Sequence, residues 1–131
     1  MNGTNAIGVA AKGETTSIEV TGKVTGGQRG IDALESAEVS VEGDVTGEND
    51  SGINARDGAS VEIVGDVSGE TQGVVASDGA TVIVIGDVSG ESNGIFSGSN
   101  AVVIVSEHVD GDINADGGTV YLGELNGDRF I

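Results

Sequence analysis

The chain has 131 residues, about the length of one domain. It contains 24 Gly, no Pro and no Cys, which excludes collagen and proline-rich linkers and leaves no disulfide to indicate a compartment. The formal net charge of −17 argues against nucleic acid and anionic membrane surfaces as partners, and favours cations or cationic proteins. No apolar segment approaches the length of a membrane span, so we expect no membrane insertion.

A repeat of about 21 residues organises the chain. Residues 53–73 read INARDGASVEIVGDVSGETQG, and residues 74–94 read VVASDGATVIVIGDVSGESNG, a lightly edited copy. Six such units start near residues 9, 31, 53, 74, 95 and 113, with steps of about 22, 22, 21, 21 and 18 residues. A fixed period in this range is typical of solenoids, in which each unit buries its apolar face against its neighbours.

Aligning the units places apolar residues in columns. Within a unit, apolar and polar residues alternate, as in Ser60-Val61-Glu62-Ile63, and a period of two indicates a strand rather than a helix. Two of the columns are Val9, Ile31, Ile53, Val74, Ile95, Ile113 and Ile18, Val39, Val61, Val82, Val103, Val120. Each unit is therefore predicted to form three short strands with three bends, which is one rung of a coil.

Glycine columns mark the bends. The bend before the long strand carries residue types that tolerate positive φ, namely Ser36, Gly58, Gly79, Asn100 and Gly118. A meander of hairpins would reverse the chain direction at each bend and would not repeat the same three-strand pattern at this period. The sequence thus predicts an all-β, right-handed parallel β-helix (β-solenoid) of about six rungs. We expect one domain over residues 1–131, with residues 126–131 as a tail or cap; the hand follows from the rung length and from the right-handedness of parallel crossovers.

The phrase G-[IV]-x-A-x-x-G-A-x-V-x-V-x-G-D-V-[ST]-G, best seen in residues 73–90 and, with Ile63 at the second Val position, in residues 52–69, resembles the repeats of right-handed parallel β-helix proteins. It is most similar to repeats of bacterial adhesin-like and autotransporter-passenger-like surface proteins and of the pectate-lyase-like superfamily, and it covers residues 9–127. The resemblance implies a secreted or cell-surface location. It does not imply one activity, because passengers, lyases, hydrolases and stalks share this fold.

Acidic residues also stack, with Asp44, Asp66 and Asp87 at one level of successive rungs. The favoured interpretation is solvated acids at bends, because adjacent like charges repel by only about 1 kcal/mol in water. The alternative is a calcium site on these three carboxylates, since Ca²⁺ takes several oxygen ligands. We expect no cofactor otherwise.

The outward positions of the long strand change from charged to apolar along the chain. Contiguous exposed Ile and Val mark contact surfaces, so we predict a surface for self-association or for a protein partner. Its residues are Ile83, Ile85, Val102, Ile104 and Tyr121 on one face, with Val75 and Phe96 on another. The alternative is that residues 128–131 fold back over this surface.

Catalysis is not expected. The basic residues Lys12, Lys23, Arg29 and Arg56 do not gather with the acids at one spot, and no long loop interrupts the rungs to build a cleft. The only histidine, His108, replaces a bend Asp, where it most simply eases the acidic column. We therefore expect a non-catalytic structural or interaction module from a surface protein. The alternative is a carbohydrate-binding or polysaccharide-degrading β-helix, which an aromatic content of 2% disfavours.

Overall fold

The computed structural model describes residues 7–122, which form strands and bends without a helix. In this part of the chain no helix occurs that is long and apolar enough to cross a membrane. The strands are numbered β1 to β15 in chain order, and they line three faces of a coil.

All ladders between these strands are parallel. The first face contains β1 (Ile7–Lys12), β4 (Arg29–Leu34), β7 (Ser51–Ala55), β10 (Gln72–Ala76), β12 (Val88–Gly98) and β14 (Val109–Asp116). The second face contains β2 (Ser17–Thr21), β5 (Glu38–Glu42), β8 (Ser60–Val64), β11 (Thr81–Ile85), β13 (Val102–Val105) and β15 (Thr119–Leu122). The third face contains β3 (Val24–Gly26), β6 (Val45–Gly47) and β9 (Val67–Gly69), continued by the first residues of β12 and β14.

The register of the strands follows the sequence repeat. Val82 lies between Val61 and Val103 in neighbouring strands, and the three side chains are 0%, 2% and 0% exposed. Val9, Ile31, Ile53, Val74, Ile95 and Ile113 form one ladder on the first face. The predicted parallel β-solenoid of about six rungs is confirmed, while its right-handed sense stays a prediction.

The interior is made mainly of Ile, Val and Ala, and it includes the buried hydroxyl of Ser97. Ser97 takes a place where the neighbouring rungs carry Ala, and its Oγ lies 3.1 Å from the carbonyl oxygen of Ala101 and 3.2 Å from that of Thr119. The hydroxyl therefore has acceptors for its proton, as a buried donor requires. Ala115, predicted to point inward, is exposed because it lies in the outermost described rung.

Three separate strands per rung hold only for the first three rungs. In the fourth and fifth, β12 and β14 run through the bend that separates the third face from the first. The register of β12 against β14 shifts between Ser89 and Asn93, so the extra residues are absorbed as a bulge within a continuous strand. The predicted tail at 126–131 lies outside the described residues.

The bend before the second face uses left-handed backbone. Asp57 and Gly58 have φ of 56° and 78°, and Asp78 and Gly79 have φ of 53° and 81°. Positive φ is also confirmed at Ser36 and Asn100, at 66° and 64°. In the last bend the glycine with positive φ is Gly117, at 86°, and not the predicted Gly118.

Gly79 and Gly65 illustrate two reasons for glycine at a bend, which are a left-handed backbone and the close approach of a neighbouring rung. Gly79 has a left-handed φ, but a Cβ there would have no heavy atom within 4 Å. Gly65 has φ of 150°, and a Cβ there would overlap the carbonyl oxygen of Gly43 in the preceding rung. We expect Gly79→Ala to lower the free energy of unfolding by about 1 kcal/mol from backbone strain alone. Gly65→Ala should cost about 3 kcal/mol, because the two rungs must also move apart.

Urea unfolding followed by circular dichroism measures both variants. Equal losses in the two variants would show that the close approach of Gly65 to Gly43 does not limit the stacking of the rungs.

Candidate functional site

The outer side of the second face changes character along the coil. The parallel register places one outward residue of each rung in a single column: Glu19, Ser40, Glu62, Ile83, Ile104 and Tyr121. The column is polar over the first three rungs and apolar over the last three. This confirms the predicted change from charged to apolar outward residues along the chain.

Neighbouring outward residues widen the apolar part. Ile85 is 48% exposed beside Val64, also 48% exposed, and Tyr121 is 42% exposed beside Ile104. Ile83, Val102 and Ile104 are half-buried. We call this surface the apolar strip; it consists of Val64, Ile83, Ile85, Val102, Ile104 and Tyr121. Val64 was missing from the predicted contact set, although its outward position next to Ile85 follows from the same period of two.

Val75 and Phe96 lie elsewhere. They are neighbours in the outward column of the first face, and both are half-buried. A Cβ built on Gly98 would lie 3.0 Å from Cε2 of Phe96, so the ring lies against Gly98. The bend at residues 77–80 separates this pair from the apolar strip, so the structure does not join the two predicted patches into one surface.

A shallow depression of about 310 Å³ lies on the polar part of the second face, next to the apolar strip. Its lining contains hydroxyl and carboxylate groups, including those of Ser17, Glu19, Glu38, Ser40 and Glu62, together with Ile18, Val39, Val61 and Ile83. Its lining has no aromatic residue and no Lys or Arg. Such a surface offers hydrogen bonds, but it lacks a stacking platform and a charge opposite to its own.

The aspartate column has a structural role. The N–H of Asp66 donates to Oδ1 of Asp44 (2.9 Å), and the N–H of Asp87 donates to Oδ1 of Asp66 (2.9 Å). The N–H of His108 continues the series to Oδ1 of Asp87 (3.0 Å). Each carboxylate therefore accepts a hydrogen bond from a bend amide of the next rung that has no acceptor in the strand ladders. Sequence reasoning missed these bonds, because they depend on where the bend amide points.

This geometry limits the predicted calcium site. Rungs are about 4.8 Å apart, so Asp44 and Asp87 are separated by about 9.6 Å. One Ca²⁺ holds its ligands at about 2.3–2.6 Å and cannot reach both. The calcium site predicted on Asp44, Asp66 and Asp87 stays a prediction, with each ion limited to two adjacent carboxylates of the column.

A different group brings metal-ligating atoms together. Single atoms of Asp87, Glu107 and His108 all lie within 4.8 Å of one another, on exposed side chains. Glu107 stands where earlier rungs carry Gly22, Gly43, Gly65 and Gly86, a departure from the repeat that could have pointed to this corner. Nδ1 of His108 lies 3.5 Å from Oδ1 of Asp87, so an imidazole stands next to Asp87 where a further carboxylate would repel it. Both side chains are more than half exposed, so this contact contributes little to stability.

Arg29 pairs with two acidic residues. Its Nε lies 3.1 Å from Oδ2 of Asp50, and its Nη1 lies 3.4 Å from Oδ2 of Asp32. Asn54 donates to Oδ1 of Asp32 (3.0 Å), and Thr71 donates to Oδ1 of Asp50 (3.3 Å). The network ties successive rungs of the first face together. Both carboxylates are already paired, so the arrangement is that of a structural clamp.

Comparison with known proteins yields no match: no family model, no curated protein and no solved structure matches this chain.

The aspartate column generates a stability prediction. Asp66→Ala removes the acceptor for the amide of Asp87, so the free energy of unfolding should fall by about 1 kcal/mol. Asp66→Asn keeps a carbonyl oxygen as acceptor and removes repulsion from the neighbouring carboxylates, so its stability should stay close to that of the wild type. Urea unfolding of both variants without divalent cations is the measurement. A loss as large in Asp66→Asn as in Asp66→Ala would contradict an acceptor role.

Calcium binding is tested by comparing the wild type with Asp66→Asn. If adjacent carboxylates bind Ca²⁺, millimolar calcium should raise the melting temperature of the wild type, and it should raise that of Asp66→Asn by less. No shift in the wild type would remove calcium from consideration.

Proposed function

We propose that this protein is a non-catalytic structural and interaction β-solenoid whose apolar strip binds a second copy of the chain. The exposure of the apolar strip is the observation that supports the proposal. Its exposed Ile, Val and Tyr side chains are contiguous over neighbouring rungs of one flat face, where a rod that stays alone would expose polar residues.

Charge favours an antiparallel pair of copies. A two-fold axis at Ile104 sets the fourth rung of each copy against the sixth rung of the other, so Ile83 faces Tyr121 of the second copy. The polar rungs with Glu19 and Glu62 then extend away from each other. A parallel pair would instead align the acidic halves along their whole length, which like-charge repulsion disfavours.

The size of the strip sets the strength of the contact. Four rungs at about 4.8 Å and five residues at about 3.3 Å give a face of about 19 by 17 Å. This is well below the roughly 800 Å² per partner of a standard stable interface. The pair is therefore weak in dilute solution and becomes effective where many copies are held close together, as on a surface. Such a setting agrees with the secreted or cell-surface, adhesin-like location that the resemblance implies.

The arrangement of polar groups supports a non-catalytic role. The bend carboxylates of Asp44, Asp66 and Asp87 repeat from rung to rung and accept backbone hydrogen bonds, so they follow from the geometry of the coil. The carboxylates beside Arg29 are engaged in its clamp. A glycosidase needs a pair of carboxyl groups free to act on a bound sugar, and neither set has that freedom.

Self-association is tested with a double variant. Sedimentation equilibrium between 10 µM and 1 mM should show the wild type approaching twice its monomer mass. Ile83→Ser combined with Ile104→Ser should weaken this association about tenfold or more, because the change removes apolar area from the centre of the contact.

The matched control is Val75→Ser, which makes the same kind of change in the fourth rung but on the first face. It should leave the association unchanged. A wild type that remains monomeric at 1 mM contradicts the proposal, and loss of association in Val75→Ser alone would move the contact to the first face.

Carbohydrate binding is the second candidate, and the depression lined by hydroxyl and carboxylate groups is the observation that favours it. A glycan array together with a lyase and hydrolase screen tests it. Binding that Ser40→Ala or Glu62→Gln abolishes would support the depression as a sugar site, and the absence of both binding and turnover would exclude this function for the sugars tested.

A further inference from the structure

The fifth rung departs from the repeat at two adjacent positions of one bend. The strand registers on either side of the bend align Glu107 with Gly86 and His108 with Asp87. In the second, third and fourth rungs these two positions read Gly-Asp. The fifth rung therefore adds a carboxylate where the repeat has no side chain, and an imidazole where the repeat has a carboxylate.

We propose that Asp87, Glu107 and His108 bind one divalent transition-metal ion, for which zinc is the probe. The site lies at the bend between the second and third faces, outside the apolar strip, and the inference does not depend on the function proposed above.

The spacing of the ligand atoms fits a single ion. Nδ1 of His108 lies 3.5 Å from Oδ1 of Asp87, which is longer than a well-formed hydrogen bond. Two ligands of a tetrahedral zinc ion, each about 2.1 Å from the metal, lie about 3.4 Å from each other. The ligand atoms of all three residues lie within 4.8 Å of one another, and rotation of the exposed Glu107 side chain shortens its distances to the other two. The three residues can therefore hold one ion, with water completing its coordination.

Backbone hydrogen bonds fix the positions from which these side chains project. The N–H of His108 donates to Oδ1 of Asp87 (3.0 Å). The N–H of Glu107 donates to the carbonyl oxygen of Gly86 (3.3 Å), and the N–H of Gly86 donates to Oγ of Ser106 (3.1 Å). A carboxylate offers about four lone-pair positions, so Asp87 can accept the amide hydrogen and also bind a metal. Supporting bonds of this kind orient the ligands of metal sites.

The imidazole decides the class of ion. Ca²⁺ and Mg²⁺ take oxygen ligands, whereas zinc and other first-row transition metals bind imidazole together with carboxylate. This distinguishes the site from the calcium predicted on Asp44, Asp66 and Asp87, which offers carboxylates alone. Asp87 belongs to both sets, but only the pair Glu107 and His108 adds a nitrogen ligand.

The surroundings of the site favour a cation. A shallow depression of about 320 Å³ has Asp66, Asp87, His108 and Asp110 among its lining residues. Asp66 and Asp110 add negative charge beside the three ligands, and the net charge of −17 raises the local concentration of cations. The depression also leaves room for the water molecules that complete the coordination.

Folding is what brings the ligands together. Asp87 precedes His108 by 21 residues in the sequence, and the two become neighbours because the fourth and fifth rungs stack. The unfolded chain holds these ligands apart, so zinc should bind the folded coil more tightly and raise its melting temperature. A bound ion would thus tie the fourth rung to the fifth.

Titration of protein without an affinity tag tests the proposal. The chain contains one histidine, so each carbon-bound imidazole proton gives one resonance in the NMR spectrum. Zinc should shift or broaden these resonances and saturate at one ion per chain, and calorimetry should give the same stoichiometry. Calcium at the same concentration should leave the resonances nearly in place, because it does not take imidazole nitrogen as a ligand.

Two variants each remove one ligand and keep a polar side chain. Glu107→Gln and His108→Asn should each weaken zinc binding about tenfold or more, as measured by calorimetry. The matched control is Asp110→Asn, which removes the same charge as Glu107→Gln from the neighbourhood of the same depression but leaves all three ligands in place. Its zinc affinity should change by less than about twofold.

Urea midpoints of the variants establish that each is folded. Zinc binding that does not saturate at one ion per chain below about 1 mM would overturn the proposal, and so would imidazole resonances that zinc leaves in place. Equal losses in Asp110→Asn and Glu107→Gln would also overturn it, because they would show general attraction of cations to an acidic surface. The lateral contact is tested separately, through Ile83 and Ile104.

Discussion

The whole structure depends on repeating the same backbone at the same height in every rung. Only then can a parallel ladder run unbroken from β2 to β15 while Val61, Val82 and Val103 lie on one another without a gap. A rung that was too wide would pull the side chains of its neighbours out of contact. Glycine at the corner where Gly65 approaches Gly43 removes a side chain that would enforce such a widening, and Gly86 does the same where it approaches Gly65. The small apolar core, without large aromatic rings, follows from the same demand.

This dependence explains how far the sequence predicts the fold. Columns of Val, Ile and Ala repeat because they face one interior, and their period therefore gives the rung starts and the inward residues directly. The departures are local. Ser97 could be placed in its column, but its acceptors on Ala101 and Thr119 could not, because they are backbone atoms that only the folded coil brings near. The merging of bends into β12 and β14 likewise depends on pairing with strands of the neighbouring rungs.

The candidate site was predicted less completely, for a related reason. An outward apolar residue such as Ile83 or Tyr121 can be recognised by its place in the alternation, since nothing in the rung needs it there. An acidic column is ambiguous, because Asp66 can serve solvation, a cation or the backbone equally well in sequence. The structure shows the backbone role, because the amide of Asp87 donates to Oδ1 of Asp66. The clamp around Arg29 was missed because its partner Asp50 lies in the next bend, outside any column of core residues.

The apolar strip is independent of the regularity that stabilises the coil. The side chains of Ile85 and Val64 are each 48% exposed and do not belong to the core. A lateral contact through the strip therefore uses features of the sequence that the stacking of the rungs does not require.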